Sequence, residues 1–391
     1  MQSVLQGERG PLGSPPFGFL DLQALRANAE ELVVQAKGKP LRVATKSIRC
    51  LPVLDELLAM GAFRGVLALT LGEALMLDRL GYRDVVVGYP TADREALSLL
   101  VANAAACTNI TLMFDSPDQL DLVDSVAPPR SRPVLRACLE LDASLRVGPA
   151  HFGARRSPLF RPAELRDFAR QVVDRPGYAP VGIMAYEGQV AGVYDAGRSP
   201  RAVAVRAMQR LSKRELRPRR AAAIRAVREV FEPEFVNGGG TGSVGFTADD
   251  PAVTEIAAGS GIYAPGLFTR YRNLPLSPAA FFACPVVRKP RADIATVSGG
   301  GWVASGTPGA DRLPTIAYPE GLSFVANESA GEAQTPLHGD AARGLAVGDL
   351  VIFRHAKAGE LCERVNELLV IDGECVADRW QTYRGRGVAL Q

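Results

Sequence analysis

The stretch Pro40-Leu41-Arg42-Val43-Ala44-Thr45-Lys46-Ser47 decides how this chain is read. It is an apolar run of strand length that ends on a lysine, the position a Schiff-base lysine would take at the C-terminal end of a barrel strand. Working outward, short β-branched or leucine-rich runs recur at residues 42–45, 65–69, 84–88, 110–114, 134–141, 181–185, 235–236 and 253–257. Helical patterns fall between them, at 21–36, 51–60, 72–80, 93–105, 162–173 and 202–231. Repeated βα units of this kind predict a parallel sheet, and about eight of them predict a closed (β/α)8 TIM barrel. Pro90, Asp115-Ser116-Pro117 and Asn237-Gly238-Gly239 punctuate strand-to-helix turns, at the barrel end where loops carry chemistry.

After about residue 270 the texture changes to proline, glycine and β-type runs at 281–287, 293–297, 323–326, 349–353 and 367–371. This predicts an α/β chain in three parts: an N-terminal tail over 1–16, the barrel over 17–270 and a mostly β C-terminal domain over 271–391. A length of 391 residues and an apolar fraction of 47% suit two cores of that size. The formal net charge of only +3, from 45 basic and 42 acidic side chains, gives no polyanion-binding signature, so no nucleic-acid partner is expected. The arginine-rich stretch 198–228 reads as a solvated amphipathic helix outside the barrel. Cys50, Cys107, Cys138, Cys284, Cys362 and Cys375 form no C-x-x-C pair, which argues against a disulfide framework or a thiolate zinc site. Residues 1–10 lack the basic start and apolar stretch of a secretory leader, and residues 10–16 read as a loop or tag remnant without function. No uncharged apolar segment is long enough to span a bilayer. A cytoplasmic protein is expected.

Phe235-Val236-Asn237-Gly238-Gly239-Gly240-Thr241-Gly242-Ser243 follows the seventh run and offers backbone amides free of side chains. Such a turn wraps a phosphate dianion, with Gly239 and Gly240 supplying the backbone and Thr241 or Ser243 a hydroxyl. His338-Gly339-Asp340 resembles a metal pair by residue type, but its loop position reads as a solvent-exposed turn. Glu255 carries no assigned role.

The order of these features resembles the fold-type III pyridoxal phosphate enzymes, the group of alanine racemase, D-threonine aldolase and D-serine dehydratase. The resemblance starts at Phe17-Gly18-Phe19-Leu20-Asp21-Leu22 and runs to the tail Trp380-Gln381-Thr382-Tyr383-Arg384-Gly385. It implies pyridoxal 5'-phosphate as cofactor, held by Lys46, with the phosphate cup completed by Gly261, Ile262 and Tyr263. Tyr186, in Ala185-Tyr186-Glu187-Gly188-Gln189, would lie against the cofactor ring, and Arg146 or His151 would approach its phenolate oxygen, with Arg155 or Arg156 nearby. In the D-threonine aldolase and D-serine dehydratase branch that tyrosine segment ends in histidine, where Gln189 stands here. The same branch places a histidine and a second metal ligand two residues apart in the trailing β-domain. His355 matches the first, whereas Lys357 occupies the second and lacks a free lone pair while protonated. Gln334 likewise stands where a ligand histidine is usual. The resemblance thus implies a branch with no required metal, in which His355, with Lys357 or Glu360, is the acid/base group. It further implies a homodimer and a lyase that cleaves a β-hydroxy-α-amino acid in the retro-aldol direction. Dehydration with deamination, racemisation, and cofactor binding without turnover are the alternatives.

Overall fold

A computed structural model describes residues 14–389, so the leader reading of residues 1–10 and most of the 1–16 tail lie outside the described residues. Two compact units emerge, the first built from residues 32–46 and 56–259, the second from 14–31, 47–55 and 260–389.

The first unit is a closed barrel of eight strands: Leu41–Ala44, Phe63–Ala68, Val85–Val87, Ile110–Phe114, Leu135–Glu140, Tyr178–Ala185, Phe235–Gly238 and Glu255–Ala258. All neighbours pair in parallel, and the ring closes where Ile256 stands beside Leu41. These are the eight runs read from the sequence. Their near-continuous apolar character follows from burial on both faces, as in Val85-Val86-Val87, where every residue is buried. Helices begin where the sequence supplies caps: the Thr70 side chain accepts from the Glu73 amide, Asp93 from Ala96, and Ser199 from Ala202. Inside the barrel Val86, Met113, Cys138, Val181, Met184 and Phe235 pack together. The buried Arg42 guanidinium donates to both oxygens of Glu255 at 2.7 and 2.8 Å and to Asp84 at 3.0 Å, satisfying charges that burial would otherwise penalise.

The arginine-rich stretch forms one helix, Pro200–Arg228, but not all its arginines are solvated. Arg220 is fully buried, and Arg219 donates to the carbonyls of Asp142, Phe160 and Ser144.

The second unit centres on a nine-stranded sheet. Phe17–Asp21 is an interior strand of it, antiparallel to Ala280–Arg291 and parallel to Glu367–Asp372. The sequence boundaries at 17 and 270 therefore differ from the structural division. The segment read as leading into the barrel packs Phe17 and Phe19 among Phe281, Ile352, Leu369 and Ile371, with the Phe19 and Phe281 rings stacked at 5.3 Å. Among the described residues no helix is long and apolar enough to cross a membrane.

Candidate active site

Lys46 sits in the short 3-10 turn Thr45–Ser47 that ends the first barrel strand, and the Thr45 hydroxyl ties this turn to the Leu67 carbonyl at 3.0 Å. The half-buried Lys46 Nζ donates to Tyr89 Oη at 2.5 Å. Tyr89 follows the third strand, after Gly88, so two strand ends bring an amine and a phenol together. Burial alone would raise the pKa of that phenol, but the charge and hydrogen bond of Lys46, with Arg156, outweigh it and lower the pKa. The Arg156 guanidinium lies over the Tyr89 ring at 5.0 Å and over the Tyr186 ring at 5.3 Å. It also stands 4.0 Å from Glu140, at the end of the fifth strand. Burial pushes the Glu140 carboxyl up to about 7, against the pull of Arg156 and with help from Asp115 and Asp142. Burial likewise pushes Tyr186 up to about 12, keeping it a neutral phenol.

The glycine turn continues this cluster. Gly239 has φ +84°, the left-handed region that glycine enters without a Cβ penalty. A Cβ on Gly240 would stand 3.2 Å from Tyr186 Cε2 and 3.0 Å from Ala191 Cβ, so the bare backbone at Gly240 lets the turn lie against the Tyr186 ring. Thr241 opens a 3-10 turn ending at Ser243, whose hydroxyl accepts from the Gly240 amide at 3.2 Å. The Gly239 amide, by contrast, donates at 3.1 Å to the buried Glu187 carboxylate and so turns away from any ligand. Lys46, Tyr89, Arg156, Tyr186 and Gly240 thus form a continuous series of contacts within the barrel. An amine nucleophile, a cation, flat rings and a glycine turn bearing hydroxyls are a donor set that fits a flat phosphorylated aldehyde.

Two expected cofactor neighbours in this unit, Arg146 and His151, make other contacts. Arg146 lies on the hairpin formed by Leu145–Val147 and Ala150–Phe152, ion-paired with Asp142 at 2.6 Å and lying 4.2 Å over the Phe160 ring. His151, on the other arm, has its ring nitrogen 3.4 Å from the Ala154 carbonyl. The arginine that joins the lysine cluster is Arg156, named from the sequence only as a neighbour. Tyr89 and Glu187 had no assigned role there. The available signal for Tyr89 was its position, an aromatic at the C-terminal end of a barrel strand.

The remaining predicted residues belong to the second unit. Gly261, Ile262 and Tyr263 lie buried in the short helix Ser260–Tyr263. The Ile262 carbonyl accepts from Asn28 at 3.1 Å, and the Tyr263 hydroxyl donates to the Ile48 carbonyl at 3.0 Å. His355 is buried edge-on to Tyr263, with Nδ1 3.2 Å from the Ala280 carbonyl. Its Nε2 has no hydrogen-bond partner among the described residues. Burial, aided by the neighbouring Arg354 charge, pushes His355 down to about 3, so the ring is neutral near neutrality. Lys357 donates to the Ser305 hydroxyl at 2.9 Å and Glu360 accepts from the Ser305 amide at 3.0 Å, which places both on one loop contact. Gln334, His338 and Asp340 are exposed.

Comparison with known proteins places this geometry in context. The family described as alanine racemase, N-terminal domain, matches residues 20–263. A D-threonine aldolase of Arthrobacter sp. is 26% identical over 316 residues, 80% of this chain and 77% of the relative. A 3-hydroxy-D-aspartate aldolase of Paracoccus denitrificans is 26% identical over 63% of this chain and 59% of its own length. Among solved structures, the D-threonine aldolase of Filomicrobium marinum superposes with a TM-score of 0.79 at 20% identity, covering 95% of both chains. The D-threo-3-hydroxyaspartate dehydratase of Delftia sp. HT23 gives 0.74 at 18% identity, covering 95% of this chain and 98% of the other.

Proposed function

The chain belongs to the alanine racemase N-terminal domain family of fold-type III pyridoxal phosphate enzymes, and from that premise we infer a lyase that cleaves β-hydroxy-α-amino acids. The observation that carries this reading is the series from Lys46 through Tyr89, Arg156 and Tyr186 to the glycine turn. When bound, pyridoxal 5'-phosphate supplies an electron sink that stabilises negative charge at the substrate α-carbon. Lys46 would hold its aldehyde carbon, and the turn beginning at Gly240, with Thr241, its phosphate, since the Ser243 hydroxyl is given to Glu187. Tyr186 offers a flat neutral surface beside that turn, and Arg156 a fixed cation. Tyr89 accepts a hydrogen bond from Lys46 Nζ and so keeps the amine aimed. Gly261, Ile262 and Tyr263 stay the proposed completion of the phosphate cup through backbone groups, since the Tyr263 hydroxyl is committed to Ile48.

Retro-aldol cleavage needs a base for the β-hydroxyl proton. His355 is our candidate because it is uncharged and its Nε2 is unpartnered among the described residues, so it offers a lone pair. The aldolase reading is favoured over dehydration by the two relatives whose names carry aldolase activity at 26% identity. We further propose a cytoplasmic homodimer that works without a tightly bound metal, because an ammonium at Lys357 has no lone pair to give. The test is borohydride reduction of the cofactor-loaded protein with peptide mapping, followed by a panel of D- and L-β-hydroxy amino acids. Label on Lys46 with release of an aldehyde and an amino acid supports the reading. Ammonia and a keto acid would establish a dehydratase, exchange of the α-proton alone a racemase, and label without turnover a binding protein. Light scattering and elemental analysis of the active protein test the dimer and the metal.

A further inference from the structure

Glu187 is a carboxylate with no exposed surface, and every donor facing it comes from one stretch of chain or from one arginine. It accepts from the Gly239 amide at 3.1 Å, from the Ser243 hydroxyl at 3.1 Å and, at close range, from the Thr247 hydroxyl. Its charge meets Arg220 at 3.4 Å, and Arg220, equally buried, is held by Asp250 at 2.6 and 2.9 Å. A carboxylate is tolerated in such a place only when its lone pairs are all used, and breaking one pair leaves an orphaned charge. Three of its donors lie on the glycine turn and the short helix behind it. The preceding residue, Tyr186, also lies against that turn, at Gly240. One dipeptide therefore grips the turn twice, by a ring on Gly240 and by a carboxylate on the Gly239 amide.

We propose that Glu187 is a positioning residue for a phosphate monoester: by taking the Gly239 amide from behind, it fixes the turn so that the segment beginning at Gly240 meets the phosphate. This role rests on the reading of the turn as a phosphate seat. Arg220, shared with Asp250, offsets part of the Glu187 charge and so weakens its repulsion of the dianion beyond the turn. Glu187→Gln keeps the volume and one acceptor oxygen, but its amide nitrogen cannot accept from the Gly239 amide or the hydroxyls.

The experiment measures binding to the cofactor-free protein by fluorescence quenching, with pyridoxal 5'-phosphate, with pyridoxal, which lacks the phosphate, and with inorganic phosphate as competitor. For Glu187→Gln we expect affinity for the phosphorylated aldehyde and for phosphate to fall about tenfold, which is about 1.4 kcal/mol. Pyridoxal should change by less than about twofold. Equal loss for both aldehydes, or no loss for either, overturns the role of Glu187 alone. A wild-type protein that binds the two aldehydes alike overturns the phosphate seat itself and the role with it. Should the glutamine variant fail to fold, Ser243→Ala removes one donor from the carboxylate, and about a threefold loss confined to the phosphorylated ligands is expected. The same loss for pyridoxal would overturn the proposal.

Discussion

Replacing Gly239 by alanine separates two costs that a glycine in a tight turn usually merges. The residue stands at φ +84°, where an L side chain costs about 1–2 kcal/mol. Its added Cβ would also meet Ile256 Cγ2 at 2.8 Å, closer than carbon atoms approach. Ile256 has no exposed surface and is fixed by parallel pairing to both Gly238 and Leu41, so it has nowhere to retreat. Overpacking of this kind costs a further ~1–3 kcal/mol. Gly38 supplies the internal control: it has φ +85° with nothing within 4 Å of the added atom. Gly38→Ala should therefore show the backbone cost alone, and Gly239→Ala should be less stable than Gly38→Ala by ~1–3 kcal/mol, or roughly 2–12 °C in the thermal transition of the cofactor-free protein. Affinity for pyridoxal 5'-phosphate should fall in the first variant and stay at the wild-type value in the second. Equal transitions in the two would refute the claim that the eighth strand walls in the turn.

Lys46→Met should raise the pH at which Tyr89 ionises, read by ultraviolet difference titration against a Tyr89→Phe blank, because the lysine charge and hydrogen bond hold that phenol down; an unmoved midpoint would discard the pairing. Nitrogen NMR of labelled histidine should find the His355 ring neutral down to about pH 4, and a midpoint near 6.5 would contradict its burial. An unfolded histidine binds its proton at higher pH than this one, so the His355 contribution is complete above about 6.5 and is lost as pH falls toward about 3. Glu140 acts in the opposite direction. Its folded carboxyl binds a proton more strongly than the unfolded one, so its contribution to stability is present at acid pH and is lost as pH rises from 4.5 through about 7. Glu140→Gln should flatten the stability profile of the barrel in that window, and an unchanged slope would count against the raised value.

The barrel was readable because each strand is a local signal, a short apolar run, several of them closed by glycine or proline and the first by the lysine. Partners chosen over long distances were not. Phe17 and Phe19 alternate as any half-buried strand does, and nothing within that segment tells that its neighbours are residues 280–291 and 367–372. Arg146 and Arg156 have the same side chain, and no local signal tells that the first pairs with Asp142 while the second lies over Tyr89. Glu187 lies between an aromatic and a glycine, a context that reads equally well as a surface turn. Donors remote in sequence, Arg220 and the segment from Gly239 to Thr247, make the carboxylate tolerable inside. The helix Pro200–Arg228 shows why the burial of Arg220 was not legible, since the charge pattern carries no mark distinguishing Arg220 from its solvated neighbours.

The pairing of Phe17–Asp21 with Glu367–Asp372 sets a timetable for the chain as it leaves the ribosome. Synthesis runs from the N-terminus, and domains fold as they emerge. All eight barrel strands have been made by Ala258, and their ring can close while the rest is still being translated. Phe17 and Phe19 are made before any of them, yet their antiparallel neighbour arrives only after the barrel is complete and their parallel neighbour almost at the end. Both edges of this apolar strand wait for partners until residues 280–291 are made, and one edge still waits until 367–372; an open edge of this kind recruits foreign strands. A chain whose synthesis stopped before residue 280 would therefore carry this strand with neither of its two sheet neighbours made.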